Sequence, residues 1–265
     1  MEAWEKFEIE CVEYLNEKFG NEAICFRING GHNANVSDIE VSKAGSRVMS
    51  LECKMDTAQC GQFVLFTDYE NRKFIFSPRN KTPQDRYVDA IISEMENNFD
   101  SCKEPSNEDL RISEKVIIEW VKHYYLNVKE TEFCITNSGS DYIIFPINSI
   151  DKYFSFSAKY RPKRSGSSRP SKTNLAEIAD KLHKVGIKSP IIYSKDDCYI
   201  ELCDEREKFI IQAQKYRYQF KKDGNRYYIN RLSNTKNANF IVSIRLKNRM
   251  QQDDDLQAFL ERLSE

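Results

Sequence analysis

The sequence predicts a mixed α/β chain, and three observations carry that expectation. A helical stripe of apolar residues opens the chain, strand-length alternating segments recur in both halves, and helical segments interrupt them with no internal repeat. Trp4, Phe7, Cys11, Val12, Leu15 and Phe19 fall at spacings of three and four, predicting a helix over 2–19 that Gly20 stops. Glu8 interrupts that stripe one turn from Trp4 and Val12, where a half-buried carboxylate needs a donor or a cation. Strand signals follow at 23–28, 37–42 and 47–55, the first two separated by a turn region at Gly30 and Gly31.

Over 57–69 the period is ambiguous, and the expectation is a helix begun near Thr57, then a strand at 73–77. Residues 84–99 and 113–129 read as helices. Short strands are expected at 132–136, 141–145, 153–159, 190–193, 198–203, 215–220, 226–231 and 240–246, with helices at 174–185 and 254–263. Ser, Pro, Asn and acids cluster at 101–112, which places a border there and divides the chain into 1–105 and 106–265, packed as one continuous domain or as two. Residues 162–170, rich in Ser, Gly and basic side chains, are the linker-like stretch.

Composition narrows the class. Of 265 residues 40% are hydrophobic, with 9 Gly and 7 Pro, which excludes disordered and fibrous chains. No apolar run approaches 18 residues, and Glu2, Glu5 and Glu8 stand where a signal peptide needs positive charge, so a soluble, unexported protein is expected. Eight Cys without a CxxC pair, beside 3 His, assemble none of the common zinc spacings and suggest free thiols in the cytoplasm. Charge is segregated: residues 1–150 hold 16 Lys and Arg against 26 Asp and Glu, a net of −10, and the remainder has a net of +9. Such asymmetry points to a back half that meets a polyanion and a front half whose carboxylates hold cations.

The chemistry concentrates in SDIEV (37–41) and SLECKM (50–55). Side chains alternate faces along a strand. Met49, Leu51, Cys53 and Met55 make one apolar face, leaving Ser50, Glu52 and Lys54 on the other; in the preceding strand Ile39 and Val41 turn inward and Asp38 outward. If the two strands are neighbours, Asp38, Glu52 and Lys54 converge. Glu52-Cys53-Lys54 is the single acid-x-Lys in the chain. Two carboxylates and the Cys53 carbonyl offer hard oxygen ligands for Mg2+, which keeps several waters and activates water toward a phosphoryl group. Lys54 can orient or help deprotonate that water and balance phosphate charge. The plain alternative is a solvated strand face carrying a Glu/Lys pair.

The order of helix, two strands with Asp38 then Glu52-Cys53-Lys54, and a helix bearing Gln62 resembles the PD-(D/E)xK nuclease superfamily, which includes type II restriction endonucleases and Holliday junction resolvases. The resemblance spans about residues 5–75. It departs at Ser37, which stands where the motif's name has proline. It implies a restriction-endonuclease-like core, a central mixed sheet flanked by helices, with a β-rich C-terminal DNA-recognition part. It further implies Asp38 and Glu52 as metal ligands, Lys54 as the catalytic lysine, Glu8 as an additional metal or water ligand and Gln62 as a phosphate-facing residue.

The second half supplies a candidate DNA surface. Lys152, Lys159, Arg161, Lys163, Arg164, Arg169 and Lys172 follow one another without an acid, and from 209 to 252 ten basic residues face only Asp223. Tyr153, Phe154, Phe156, Tyr160, Tyr216, Tyr218, Tyr227 and Tyr228 interleave with them, a pattern suited to phosphates and base edges. In KYRPKRSGSSRPSK (159–172), Ser165 and Gly166 allow close backbone approach; Asn234 and Lys236 offer further contacts. His32 lies six before Asp38. The expectation is therefore a Mg2+-dependent, site-specific endonuclease of the type II restriction kind acting on double-stranded DNA as a homodimer, with a cognate DNA methyltransferase in the host. The alternatives are a junction resolvase or repair nuclease of the same superfamily, or an inactive DNA-binding protein.

Overall fold

Helix α1 (Ala3–Phe19) begins behind a capping box in which the Glu2 N–H donates to Glu5 Oε2 at 2.8 Å. Its end at Gly20 is a close approach, since a Cβ there would lie 2.4 Å from the Asn16 carbonyl oxygen. The computed structural model describes residues 2–29, 36–139, 141–162, 168–194, 197–214, 216–232 and 237–265. The expected turn at Gly30 and Gly31, together with His32, Lys163, Arg164, Ser165, Asn234 and Lys236, lies outside them.

After α1 come β1 (Ile24–Ile28), β2 (Ile39–Lys43), β3 (Ser46–Cys53), β4 (Thr57–Asp68) and β5 (Lys73–Phe76). Helices α2 (Arg86–Asn97), α3 (Phe99–Cys102) and α4 (Glu114–His123) follow, the last running into a π-helical turn at Tyr124–Val128. Next are β6 (Phe133–Asn137), β7 (Tyr142–Pro146), α5 (Ile150–Tyr153), β8 (Phe154–Pro162) and α6 (Leu175–Lys184). The chain closes with β9 (Ile192–Tyr193), β10 (Cys198–Glu201), β11 (Lys208–Ala213), β12 (Tyr216–Asp223), β13 (Arg226–Leu232), β14 (Asn237–Leu246) and α7 (Asp253–Ser264). The mixed α/β class expected from the sequence is the class observed. Among the described residues no helix is long and apolar enough to cross a membrane.

The chain falls into two compact units, one of residues 1–161 with 238–265 and one of 162–237. The border expected at 105/106 is thus replaced. Residues 106–161 and 238–265 belong with the N-terminal elements because β6 and β7 extend the sheet of β3, and β8 and β14 extend that of β4. In the first unit one sheet has the order β1-β2-β3-β6-β7, parallel at β3–β6 and antiparallel elsewhere. One face buries Phe26, Ile39, Val41, Leu51 and Ile135 against Phe7, Cys11 and Leu15 of α1 and Phe259 and Leu263 of α7. Cys134, Ile143 and Phe145 on the other face join Trp120 of α4 and the second sheet, β5-β4-β14-β8, in a separate core. Apolar burial on both faces is what makes the middle strands read as nearly continuous apolar runs.

The helix expected from Thr57 is instead the strand β4. Its buried side chains Cys60, Phe63 and Leu65 fall at intervals of three and then two, and the first interval imitates a helical period. Gly61 occupies that interval beneath Trp120: a Cβ there would come within 2.5 Å of the indole. Strand β11 has no counterpart among the expected strands, because Ile210 stands on its outer face at 53% exposure and hides the alternation of Ile211 and Ala213.

The second unit is an antiparallel sheet, β11-β12-β13-β10-β9, over which α6 lays Ile178 and Leu182. Tyr218, Phe220, Tyr227 and Ile229 supply the facing core.

Candidate active site

Strands β2 and β3 pair antiparallel with Ile39 opposite Leu51. That register brings Asp38, one step before β2, against the end of β3, where its Oδ2 accepts the Cys53 N–H at 2.9 Å. Pairing with β6 on the other side continues past the strand end, the Lys54 N–H donating to the Ile135 carbonyl at 2.9 Å. Leu51 and Cys53 face α1, and Ser50, Glu52 and Lys54 take the opposite face, as alternation requires. That face is not solvated: Glu52 is 3% and Lys54 8% exposed. Met55, placed on the apolar face by alternation, lies beyond the end of β3 and is 38% exposed.

Glu52 is held at both oxygens. Lys54 Nζ lies 2.6 Å from Oε1, and Lys129 Nζ lies 2.5 Å from Oε2. Lys129, which sequence reasoning did not single out, follows the π-helical turn and is buried. Both ammonium groups stand 5.5 Å from the centre of the Tyr125 ring, an arrangement in which the ring's negative face adds to the attraction. The Tyr125 hydroxyl donates to the Cys60 carbonyl at 3.1 Å.

Above this layer opens a cleft of about 330 Å³ whose lining includes Trp4, Phe7, Glu8, Asp38, Cys53, Lys54, Met55 and Gln59. Glu52 is not part of that lining and meets it through Lys54. Burial, and then the neighbouring Asp38 and Glu52 carboxylates, push the Glu8 carboxyl up to about 7. The same two causes, burial first and Glu52 second, raise Asp38 to about 6. Glu52 behaves oppositely: burial works to raise it, and the two lysines outweigh burial and hold it below the usual carboxylate range. Lys54 is kept well above the usual lysine range by Glu52, against the opposing effect of burial. It is therefore an ammonium at neutral pH, a donor in this arrangement rather than a base. Burial also pushes the Cys60 thiol up to about 12, and Cys53 rises strongly for the same reason, so both are core fillers and not nucleophiles.

The structure thus brings Asp38, Glu52, Lys54 and Glu8 together, with the Cys53 backbone between them. Gln62 stands apart from the cleft, exposed on β4 with Oε1 accepting from Asn239 Nδ2 at 2.9 Å, and it is Gln59 that reaches the lining. Among the described residues no three His, Cys, Asp or Glu side chains gather as a complete ion cage. Asp38 and Glu52 with the Cys53 carbonyl offer two carboxylates and a carbonyl, and Glu8 stands across the cleft from them, a set suited to an ion that retains waters.

No protein-family model matches the chain, and no curated protein does. Among solved structures, HhaI endonuclease in complex with DNA is similar to it, at 33% sequence identity and a TM-score of 0.73, over 100% of both chains. The chain belongs to the HhaI endonuclease family. Its architecture is that of a restriction endonuclease, with the Asp38, Glu52 and Lys54 layer at the end of the central strands.

In this member of the HhaI endonuclease family the candidate DNA-contacting residues fall in different settings. Lys159 stands 3.7 Å from Asp109, and Arg161 is exposed at the end of β8. Arg169 lies over the Tyr193 ring at 4.5 Å and donates to the Ser194 carbonyl at 2.6 Å, and Lys172 lies 5.9 Å from the same ring. The interleaved aromatics are mostly not stacking surfaces. Tyr153, Phe154, Phe156, Tyr160, Tyr218 and Tyr227 are buried core residues, whereas Tyr216 and Tyr228 are half-buried.

Proposed function

We propose that the chain is a Mg2+-dependent, site-specific double-strand DNA endonuclease of the restriction type. The observation that carries this is the pairing of β2 and β3, which sets Asp38 and Lys54 in the lining of an open cleft with Glu52 held against Lys54. Kinship with HhaI endonuclease, itself solved on DNA, supports the substrate class.

The fit to a divalent cation rests on charge. Burial first, and neighbouring carboxylates second (Asp38 and Glu52 at Glu8, Glu52 at Asp38), push both Glu8 and Asp38 toward neutrality, a state that a cation placed between them would relieve. Asp38 Oδ1, the lone pairs left on Glu52 and the Cys53 carbonyl are the groups that would hold the ion. Bound there, Mg2+ supplies Lewis-acid polarisation of a phosphoryl oxygen and a lower pKa for water. The protein's own part is positioning. Lys54 donates to the phosphate or to the attacking water, Glu8 orients that water across the cleft, and Trp4 and Met55 exclude bulk solvent at the rim. The water oxygen bonds to phosphorus and one P–O ester bond breaks. One proton stays on the new phosphomonoester and the other goes to the departing oxygen.

Digestion of plasmid DNA with and without Mg2+, followed by sequencing of the ends, is the test. Discrete fragments with a shared end sequence support restriction. Selective nicking of junctions indicates a resolvase or repair nuclease, and retarded but uncut DNA an inactive binder. Lys54→Ala is expected to abolish cutting with DNA affinity retained, and unchanged cutting by it removes the site assignment. One chain carries one such site and a duplex has two scissile strands. A palindromic target is then cut by a homodimer in one event or by successive visits, and accumulation of nicked circles marks the second. A host carrying this activity needs a cognate DNA methyltransferase.

A further inference from the structure

Lys129 is a buried ammonium to which this scheme gives no task. It and Lys54 divide Glu52 between them, Lys129 on Oε2 at 2.5 Å and Lys54 on Oε1 at 2.6 Å. They differ in what they face. Lys54 lines the cleft, whereas Lys129 is not part of the lining and is only 7% exposed. The seat of Lys129 is built from the backbone. Ser50 Oγ donates to the Glu130 carbonyl at 2.6 Å, and the Glu132 N–H donates to the Ser50 carbonyl at 3.2 Å, tying this segment to β3. The Thr131 N–H donates to the Tyr125 carbonyl at 2.8 Å. Glu130 itself has φ of 51°, a left-handed conformation that a non-glycine residue keeps only where its surroundings enforce it.

Two demands meet on Lys54. Wherever its ammonium moves toward water or the scissile phosphate, its hold on Glu52 Oε1 at 2.6 Å loosens. A carboxylate 3% exposed cannot be left alone, because removing one partner of a buried pair strands the other charge. Resting on the function proposed above, we infer that Lys129 is the standing counter-ion of Glu52, fixing that carboxylate so that Lys54 is released to the substrate. Lys129 reaches the reaction only through Glu52 and is a positioning residue. When Lys54 turns away, Oε1 is opened toward the cleft and Oε2 remains anchored.

Two substitutions separate charge from hydrogen bonding. Lys129→Gln keeps a donor for Oε2 and loses the charge, and Lys129→Arg keeps both. The readouts are kcat and KM on plasmid DNA with Mg2+, DNA affinity by fluorescence anisotropy without divalent metal, and the heat-denaturation midpoint. The glutamine variant is expected to lose about 100-fold in kcat, with KM and metal-free affinity within about threefold of wild type, and the arginine variant to stay within about fivefold. Wild-type kcat in the glutamine variant, equal loss in both variants, or a loss that falls on KM and affinity overturns the inference. If the glutamine variant does not fold, the arginine variant decides: near-full kcat supports the role, and a folded, DNA-binding enzyme slowed more than about tenfold overturns it. Failure of the wild type to cut, or normal cutting by Lys54→Ala, is failure of the proposed function. A wild type that cuts, a silent Lys54→Ala and a fully active Lys129→Gln overturn the role of Lys129 alone.

Discussion

Asp38 and Glu8 are where the site sacrifices stability for charge. Both bind protons more tightly in the folded chain, Asp38 at about 6 and Glu8 at about 7, than in an unfolded one. Between their unfolded values and about pH 7 folding therefore takes up protons, and stability falls as pH rises through that window. The contribution is whole below the unfolded values and gone above the folded ones. Asp38→Asn is expected to raise the stability of the metal-free protein at pH 8 by about 1–2 kcal/mol, allowing for solvent screening, while abolishing cleavage. Added Ca2+ is expected to raise the wild-type melting temperature at pH 8 and to leave that of Asp38→Asn unmoved. An Asp38→Asn protein less stable than wild type at pH 8 would contradict the charge argument. The trio of Asp38, Glu52 and Lys54 was legible in the sequence because period-two alternation assigns each to a face. Lys129 was not. Nothing in the amphipathic pattern of 113–129 separates it from Lys122, and it is carried to Glu52, 77 residues away, by a π-helical turn and a left-handed Glu130.

At the level of elements, β4 shows how one glycine alters both structure and its legibility. Gly61 admits the Trp120 indole against the strand backbone, and the buried positions to either side lose their alternation. Gly61→Ala is expected to destabilise the protein by about 1–3 kcal/mol through overpacking against Trp120, read by denaturant unfolding; a neutral substitution would show that the indole can move. Elements with an undisturbed period, α1, β2 and β3 among them, were legible within a residue or two. The setting of Gln62 was misread along with β4, since the strand presents it to Asn239. Strand β11 escaped because an apolar side chain on a solvent face carries the same letter as one in a core.

Across the whole molecule, the charge asymmetry of the sequence follows the two units closely. Residues 162–237 hold 17 basic and 9 acidic side chains, a net of +8, and the rest of the chain has a net of −9. The border itself was not legible at 105, since strands distant in sequence decide membership and the composition shift at 101–112 marks only a surface crossing. Arg161→Ala and Lys172→Ala are each expected to weaken DNA binding and to reduce the slope of log affinity against log salt by about one, measured by anisotropy titrations at several salt concentrations. An unchanged slope would remove that residue from the phosphate-contacting set.

The parallel pairing of β3 with β6, and the seating of Phe240, Phe259 and Leu263 in the cores around it, also orders events in time. Glu52 and Lys54 leave the ribosome long before Lys129, Ile135 or α7 has been translated, and contacts so distant along the chain form only once both ends are present. A nascent or truncated polypeptide carries every letter of the motif before the layer that seats Glu52 exists, so the proposed cutting is expected only from the fully folded chain.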